Sequence, residues 1–328
     1  MTTDLAPTAP RDASILDVDL VRFERGTDTQ RRAVVDGVMR SLGTGFVYAR
    51  HDVPAETIDA AYDGLRRFFH LPSEVKSRYV VPGSHGQTGY TGLLVETAAG
   101  ARKPDWKEML NWGLELPAGH PLRRAYPHRY ERRELPEDEV PGIGVVLGRL
   151  WDALFDLQRR FLRIVAVGIG CHERFFDTML DGGPTLCRAI RYPEMAAAPD
   201  REHVWAGAHG DINLVTALPR ATARGLQVDV GGRWVDATAP DGHAILNSGM
   251  MLERLTNGRI ATGVHRVVAD RDQRGERLSV VQFCHPTPWT ILGPVPSCVG
   301  ADRPLRYSTV EAGAWLDQVL WDINLARG

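Results

Sequence analysis

Ala208-His209-Gly210-Asp211-Ile212-Asn213-Leu214-Val215-Thr216 is the stretch on which the reading of this chain turns. Along an extended strand, side chains at i and i+2 leave the same face, so His209 and Asp211 can address one ion together. His265, far downstream, supplies a second imidazole and must arrive from a distant strand, which implies a sheet curled over the metal. Two imidazoles and one carboxylate form the facial set that holds non-haem Fe(II) and leaves coordination positions open. An HxD with a remote His also arises often by chance. Its setting strengthens it: Arg277-Leu278-Ser279, twelve residues beyond His265, places a basic and a hydroxylic side chain on one strand face.

Around that stretch the chain has a β texture. Leu186–Tyr192 and the runs 214–218, 225–230, 233–235, 244–247, 263–268 and 278–283 are short, β-prone and separated by Gly, Pro and Asp. That pattern predicts a sandwich or jelly roll. Upstream, a short strand is expected over 15–19 and helices over 27–42 and Ala55–Phe69, with Gly43-Thr44-Gly45 and a β-prone Phe46-Val47-Tyr48 between them. Ser73 is expected to cap a short helical turn over 74–78. Apolar residues at Val146, Leu150, Leu154, Leu157, Phe161, Ile164 and Val165 predict one long helix over 140–171 backing the sheet. Ser308 and Glu311 predict a capping box that opens a last helix through Asn324. Helices, then strands, then a helix is not the βαβ alternation of a nucleotide-binding sheet, and the fold class expected is mainly β with flanking helices (α+β).

Composition narrows the function. The 328 residues carry a formal charge of -2, which gives no electrostatic footprint for nucleic acid. No apolar run reaches the length of a membrane span, and no membrane partner is expected. Residues 1–14 are polar and Pro-rich, without the basic-then-apolar order of a signal peptide, and are expected to be disordered. Cys171, Cys187, Cys284 and Cys298 are widely spaced, which suits free thiols in a cytoplasmic protein.

These residues resemble the iron- and 2-oxoglutarate-dependent oxygenases, in the branch that includes isopenicillin N synthase. The resemblance is carried by residues 208–216, Gly225-Leu226-Gln227-Val228, Leu255-Thr256-Asn257-Gly258-Arg259, Val264-His265-Arg266-Val267-Val268 and Arg277-Leu278-Ser279. In the front half it is carried by Gly45-Phe46 through His51, Phe68-Phe69-His70-Leu71-Pro72, Gly89-Tyr90 and Asp105-Trp106-Lys107-Glu108. It implies a double-stranded β-helix (jelly roll) core packed against N-terminal helices and a long helix. Residues 15–140 would form the mixed N-terminal region, 141–308 the long helix and catalytic core, and 309–328 a C-terminal helix.

The resemblance implies that His209, Asp211 and His265 bind Fe(II), and that Arg277, Ser279 and Tyr192 hold a carboxylate. The expected co-substrates are 2-oxoglutarate and O2. The expected reaction is hydroxylation, desaturation or ring closure of a small molecule, in a setting such as secondary metabolism. Asp211 also separates the chain from related halogenases, which lack that carboxylate. Many 2-oxoglutarate users carry Asn where this chain has Ile190. The run Ile190-Arg191-Tyr192-Pro193 instead resembles isopenicillin N synthase, whose clamp grips its substrate and uses no 2-oxoglutarate, so that alternative stays open here, as does a metal-free binding module. Met250, where many relatives have Asp, has no mechanistic reading.

Rival motifs carry less. Cys284 and His285 are adjacent, so on a strand they face opposite ways and are poor partners for nucleophilic catalysis. His172-Glu173 lacks the second His of a zinc protease helix. Gly142-x-Gly144 has no preceding strand, which defeats a dinucleotide reading. Arg102, Lys107, Trp112 and Arg191 could face a substrate, but each is expected to be structural or solvent-facing.

Overall fold

A computed structural model describes residues 14–84, 86–97, 103–199, 203–269 and 273–322. The expectations for 1–13, for Arg102 and for a helix continuing to Asn324 fall outside these residues. Fourteen described strands occur in chain order. They begin with β1 (Asp17–Asp19), β2 (Phe46–Arg50), β3 (Gly89–Thr91), β4 (Glu108–Trp112) and β5 (Leu186–Tyr192). There follow β6 (Ala206–Gly210), β7 (Val215–Leu218), β8 (Leu226–Val230), β9 (Arg233–Asp236) and β10 (His243–Ser248). The last four are β11 (Val264–Val267), β12 (Arg277–Cys284), β13 (Ile291–Leu292) and β14 (Val310–Glu311). A major sheet of order β1-β2-β10-β7-β12-β5-β4-β3 faces a minor sheet of order β6-β11-β8-β9, the two layers of a jelly roll.

Alternation along β12 divides its side chains cleanly. Arg277, Ser279, Val281 and Phe283 line the space between the sheets, whereas Leu278, Val280 and Cys284 belong to the core beneath the helices. The helix Ile143–Gly168 covers that outer face. Leu147, Leu150, Leu154, Leu157 and Phe161 are fully buried along it, each contributing about 1.5–3 kcal/mol of burial. Gln158 reaches from the helix into the sheet, where its amide donates to the carbonyls of Val215 and Gln282 at 2.9 and 2.8 Å. Such bonds satisfy buried polar groups and fix the helix's position along the strands.

Local details depart from sequence expectation in four places. The strand at 15–19 is only Asp17–Asp19, because Asp19 accepts the Arg22 amide and caps an additional helix, Leu20–Arg25. Pro72, extended, precedes the helix Ser73–Lys76, so Ser73 is its first residue and not its cap; a 3₁₀ turn, Ser77–Tyr79, follows. The capping box at Ser308 does not form. Val310 and Glu311 pair instead with Leu292 and Ile291, and the helix begins at Ala312. Met250–Leu255 is a short helix that no strong periodicity announced. The helix Asp28–Ser41, by contrast, opens with a full capping box between Thr27 and Gln30. No described helix is long and apolar enough to cross a membrane.

Candidate metal centre and its cavity

His209 lies on β6 and His265 on β11, directly opposite each other in antiparallel register. Their rings are 4.4 Å apart between centroids. Asp211 follows one residue after the end of β6 and is buried. Donor atoms of all three residues lie within 4.8 Å of one another, close enough to share one ion. The distant strand expected from sequence is therefore β11, adjacent in space to β6.

The surrounding bonds prepare each donor. His209 Nδ1 is 2.8 Å from the carbonyl of Gly207, and His265 Nδ1 is 3.2 Å from that of Gly263. A proton held at Nδ1 by a carbonyl leaves Nε2 as the lone pair, the tautomer a metal ligand needs. Asp211 Oδ2 accepts from Thr216 Oγ1 at 2.6 Å and Asn247 Nδ2 at 2.8 Å, which orients the carboxylate and leaves Oδ1 for an ion. Burial alone would raise the Asp211 carboxyl; His265, His209 and the two donated bonds outweigh it and hold the group below its ordinary value. Desolvation by the cavity walls, aided by His265, pulls His209 down to about 4, so its imidazole is neutral near pH 7. This donor set fits a divalent cation.

Two close approaches hold His265 and Asp211 in place. Gly45 has φ +81°, and a Cβ there would come within 2.4 Å of Gly263 Cα. Only glycine satisfies both demands. The contact seats Phe46 edge-on against the His265 ring at 5.9 Å. Behind Asp211, its carbonyl accepts the Met250 amide at 2.8 Å, so the short helix Met250–Leu255 begins against the metal segment. That backbone contact is what position 250 contributes structurally.

One cavity connects this centre to Arg277. Arg277 is buried, donates from Nη1 to Ser279 Oγ at 2.9 Å and from Nε to the Ala223 carbonyl at 3.2 Å. Its guanidinium stands 5.1 Å from the ring centroid of Tyr192, its cross-strand partner on β5. Burial pulls the guanidinium down from its ordinary value, opposed by Tyr192 and Tyr62. Ile190 also lines the cavity. The structure thus gathers all six site residues anticipated from sequence around one space.

The remaining candidates separate. Within Asp105-Trp106-Lys107-Glu108, Glu108 is fully buried outside the cavity and accepts from Lys76, Tyr90 and Arg191 at 2.6, 2.5 and 2.6 Å. Arg191 and Trp112 are therefore structural, Trp112 being fully buried with its indole donating to the Leu147 carbonyl. Lys107 departs from expectation: it lines the cavity, bonded to Asp105 at 2.9 Å and paired with Glu96 at 3.2 Å. Burial would lower its ammonium, but Glu96 and Asp105 raise it above its ordinary value. Cys284 is fully buried, its thiol pushed up to about 12, and cannot serve as a nucleophile. His172 is exposed and Gly142 is a left-handed residue before a helix, as their weak motifs suggested.

Sequence reasoning missed Thr216, Asn247 and Arg188, all of which line the cavity. Alternation along β5 from Tyr192 would have placed Arg188 inside. Asn247 had no local signal, since it meets Asp211 only through pairing of β10 with β7.

Two family models match the chain: residues 18–138 match the N-terminal region described as "non-haem dioxygenase in morphine synthesis", and residues 184–286 match the 2OG-Fe(II) oxygenase superfamily. Leucoanthocyanidin dioxygenase 1 of Oryza sativa subsp. japonica is 31% identical, with 92% of this chain and 80% of the relative covered. A 2OG-Fe(II) oxygenase family protein of Caulobacter crescentus superposes with a TM-score of 0.82 at 32% identity, covering 95% of this chain and 99% of that one. A full-length Neurospora crassa protein, solved in complex with alpha-KG, superposes at 0.83 with 25% identity, covering 95% and 98%. These relatives favour the 2-oxoglutarate-dependent reading over the 2-oxoglutarate-independent oxidase. The chain belongs to the 2OG-Fe(II) oxygenase superfamily and is an enzyme that uses Fe(II), 2-oxoglutarate and O2 to oxidise a small molecule.

Proposed function

We propose that His209, Asp211 and His265 are the Fe(II) ligands and that Arg277, Ser279 and Tyr192 hold the far carboxylate of 2-oxoglutarate. The observation that carries this reading is the single cavity with three converging donors at one end and a buried, serine-bonded guanidinium at the other. A planar guanidinium matches two carboxylate oxygens, and in a buried site the charge-assisted bonds orient as well as attract. Bound iron supplies oxygen activation, with 2-oxoglutarate as the source of electrons. The protein's own part is to fix the acid's orientation along β5 and β12, to hold the imidazole Nδ1 protons on backbone carbonyls, and to enclose the substrate among Phe46, Ala206, Val267 and Phe283. Inner-face alternation fits this division: Arg277 and Ser279 lie toward one end of β12, and Phe283, opposite Thr216, lies toward the metal.

Oxygen uptake and succinate release test the assignment together. Iron-loaded protein should consume O2 and form succinate only with 2-oxoglutarate present, and Arg277→Leu should suppress both at low 2-oxoglutarate. Oxygen uptake with a substrate but indifferent to 2-oxoglutarate would contradict the proposal.

A further inference from the structure

Beside His209, the residue just before β4 and the strand β5 present two further cations, Lys107 and Arg188, to the same cavity. Arg188 is four residues before Tyr192 on β5, and pairs in register with Val281 of β12 and Asn111 of β4. Its guanidinium is fixed from behind. Nε donates to Asn111 Oδ1 at 2.7 Å, and Nη2 donates to the Gly86 carbonyl at 3.0 Å. Asn111 is itself fully buried and donates to the Gly89 carbonyl. The Phe283 ring lies 5.5 Å from the guanidinium carbon. The third nitrogen, Nη1, stands 3.7 Å from Glu96 Oε1, too far for a hydrogen bond.

Lys107 has three N–H donors, and two carboxylates, Asp105 and Glu96, occupy two of them. Asp105 spends its other oxygen on the Gly207 amide at 3.1 Å, and Glu96 is shared between the two cations. Among the described residues, each cation therefore keeps a donor for a ligand. Arg188 and Arg277 are four register positions apart on the paired strands, about 13 Å by strand rise, too distant to grip one carboxylate. Apart from Thr216 and Asn247, which bond Asp211, the walls near the metal are apolar at Phe46, Ala206, Val267, Val281 and Phe283.

We propose that the organic substrate is a small carboxylic acid with an apolar body, whose carboxylate docks on Arg188 Nη1 and the Lys107 ammonium. This rests on the assignment of Arg277 to 2-oxoglutarate. Arg188 is thereby a substrate-specificity residue, pre-set by Asn111 and Gly86 so that little ordering is needed on binding.

The test is anaerobic calorimetry on Fe(II)-loaded protein, first with 2-oxoglutarate and then, once saturated, with matched aliphatic and aromatic monocarboxylates and their primary alcohols. At least one acid should bind, and its alcohol should bind roughly tenfold or more weakly, as expected for losing a charge-assisted bond. Arg188→Gln should weaken the acid by a similar factor, roughly tenfold or more, while 2-oxoglutarate affinity changes by less than about twofold. Arg188→Lys, which keeps the charge but loses the fork, should recover only part of the acid binding. Acids that bind no better than their alcohols across the panel, or that bind Arg188→Gln as tightly as wild type, overturn the proposal. Absence of 2-oxoglutarate binding in the first titration would instead count against the co-substrate assignment, so the two failures are separable. Lys107→Met is the poorer variant, because it strips two buried carboxylates of their partner.

Discussion

The major and minor sheets enclose one cavity from opposite sides, yet they differ in construction. β12 of the major sheet is buried at six of its eight positions, whereas β9 of the minor sheet is exposed at all four and β6 at two of five. The minor sheet, more exposed at β9 and β6 than at β8, carries both imidazoles, and the major sheet carries Arg277, Ser279 and Tyr192. Asp211 joins them: it leaves β6 but takes its hydrogen bonds from Thr216 on β7 and Asn247 on β10. The difference teaches that a thinner, more open sheet can hold two imidazoles in place beside a carboxylate fastened to the buried layer opposite. The major sheet needs no such help, since the helix Ile143–Gly168 covers its outer face.

That comparison breaks most severely at Asp211. Asp211→Ala removes a donor and the tie between the sheets at once, and should abolish Fe(II) binding together with 2-oxoglutarate-dependent oxygen uptake; retention of either in this variant would refute the role. The next largest effect belongs to the buried sheet. Arg277→Leu deletes a charge-assisted contact of about 1.5–3 kcal/mol, so the KM for 2-oxoglutarate should rise by roughly tenfold to a hundredfold. Fe(II) affinity should barely move, and equal losses in both would erase the division of labour between the sheets.

Asn247→Ala sharpens the same point with a smaller change. It leaves every proposed ligand in place but frees the Asp211 carboxylate, and metal affinity should fall about 10- to 100-fold, read by competition with a chelating dye. An unchanged affinity would show that Thr216 alone orients the carboxylate. The last effect concerns pH. His285, just beyond β12, is driven down from 6.5 to about 3, by desolvation first and then by Arg129. The unfolded chain therefore takes up this proton before the folded one does. The contribution is fully present above pH 6.5 and is lost progressively as pH falls toward 3. His285→Gln should flatten the decline of Tm with acidification across that window, and an unaltered slope would contradict this account.

Legibility in the sequence follows the range of the interactions. Period-two alternation, a property of each strand alone, is enough to put His209 with Asp211 and Arg277 with Ser279. Residue chemistry then brings in His265, because an HxD lacks meaning without a third ligand. Asn247 is not legible, since its meeting with Asp211 depends on the register of β10 against β7. Lys107 is misread for a related reason. Its neighbours Trp106 and Glu108 are packed away, and position 107, just before β4, turns inward onto Asp105 and Glu96, contacts that its own spacing does not announce. The failed capping box at Ser308 is the same lesson at smaller scale: its local signal is sound, but pairing of β14 with β13 claims Glu311 first.

In the proposed centre the metal is held jointly by the minor sheet and by a carboxylate fastened to the major one. An anaerobic Fe(II) titration of wild type beside His265→Ala tests it most directly, because His265 sits on the minor sheet and its Nδ1 bonds to the nearby Gly263 carbonyl, not to the major sheet. The prediction is one saturable site in wild type and its loss, without loss of fold by circular dichroism, in the variant. A folded His265→Ala protein that binds Fe(II) with wild-type affinity and stoichiometry would contradict it.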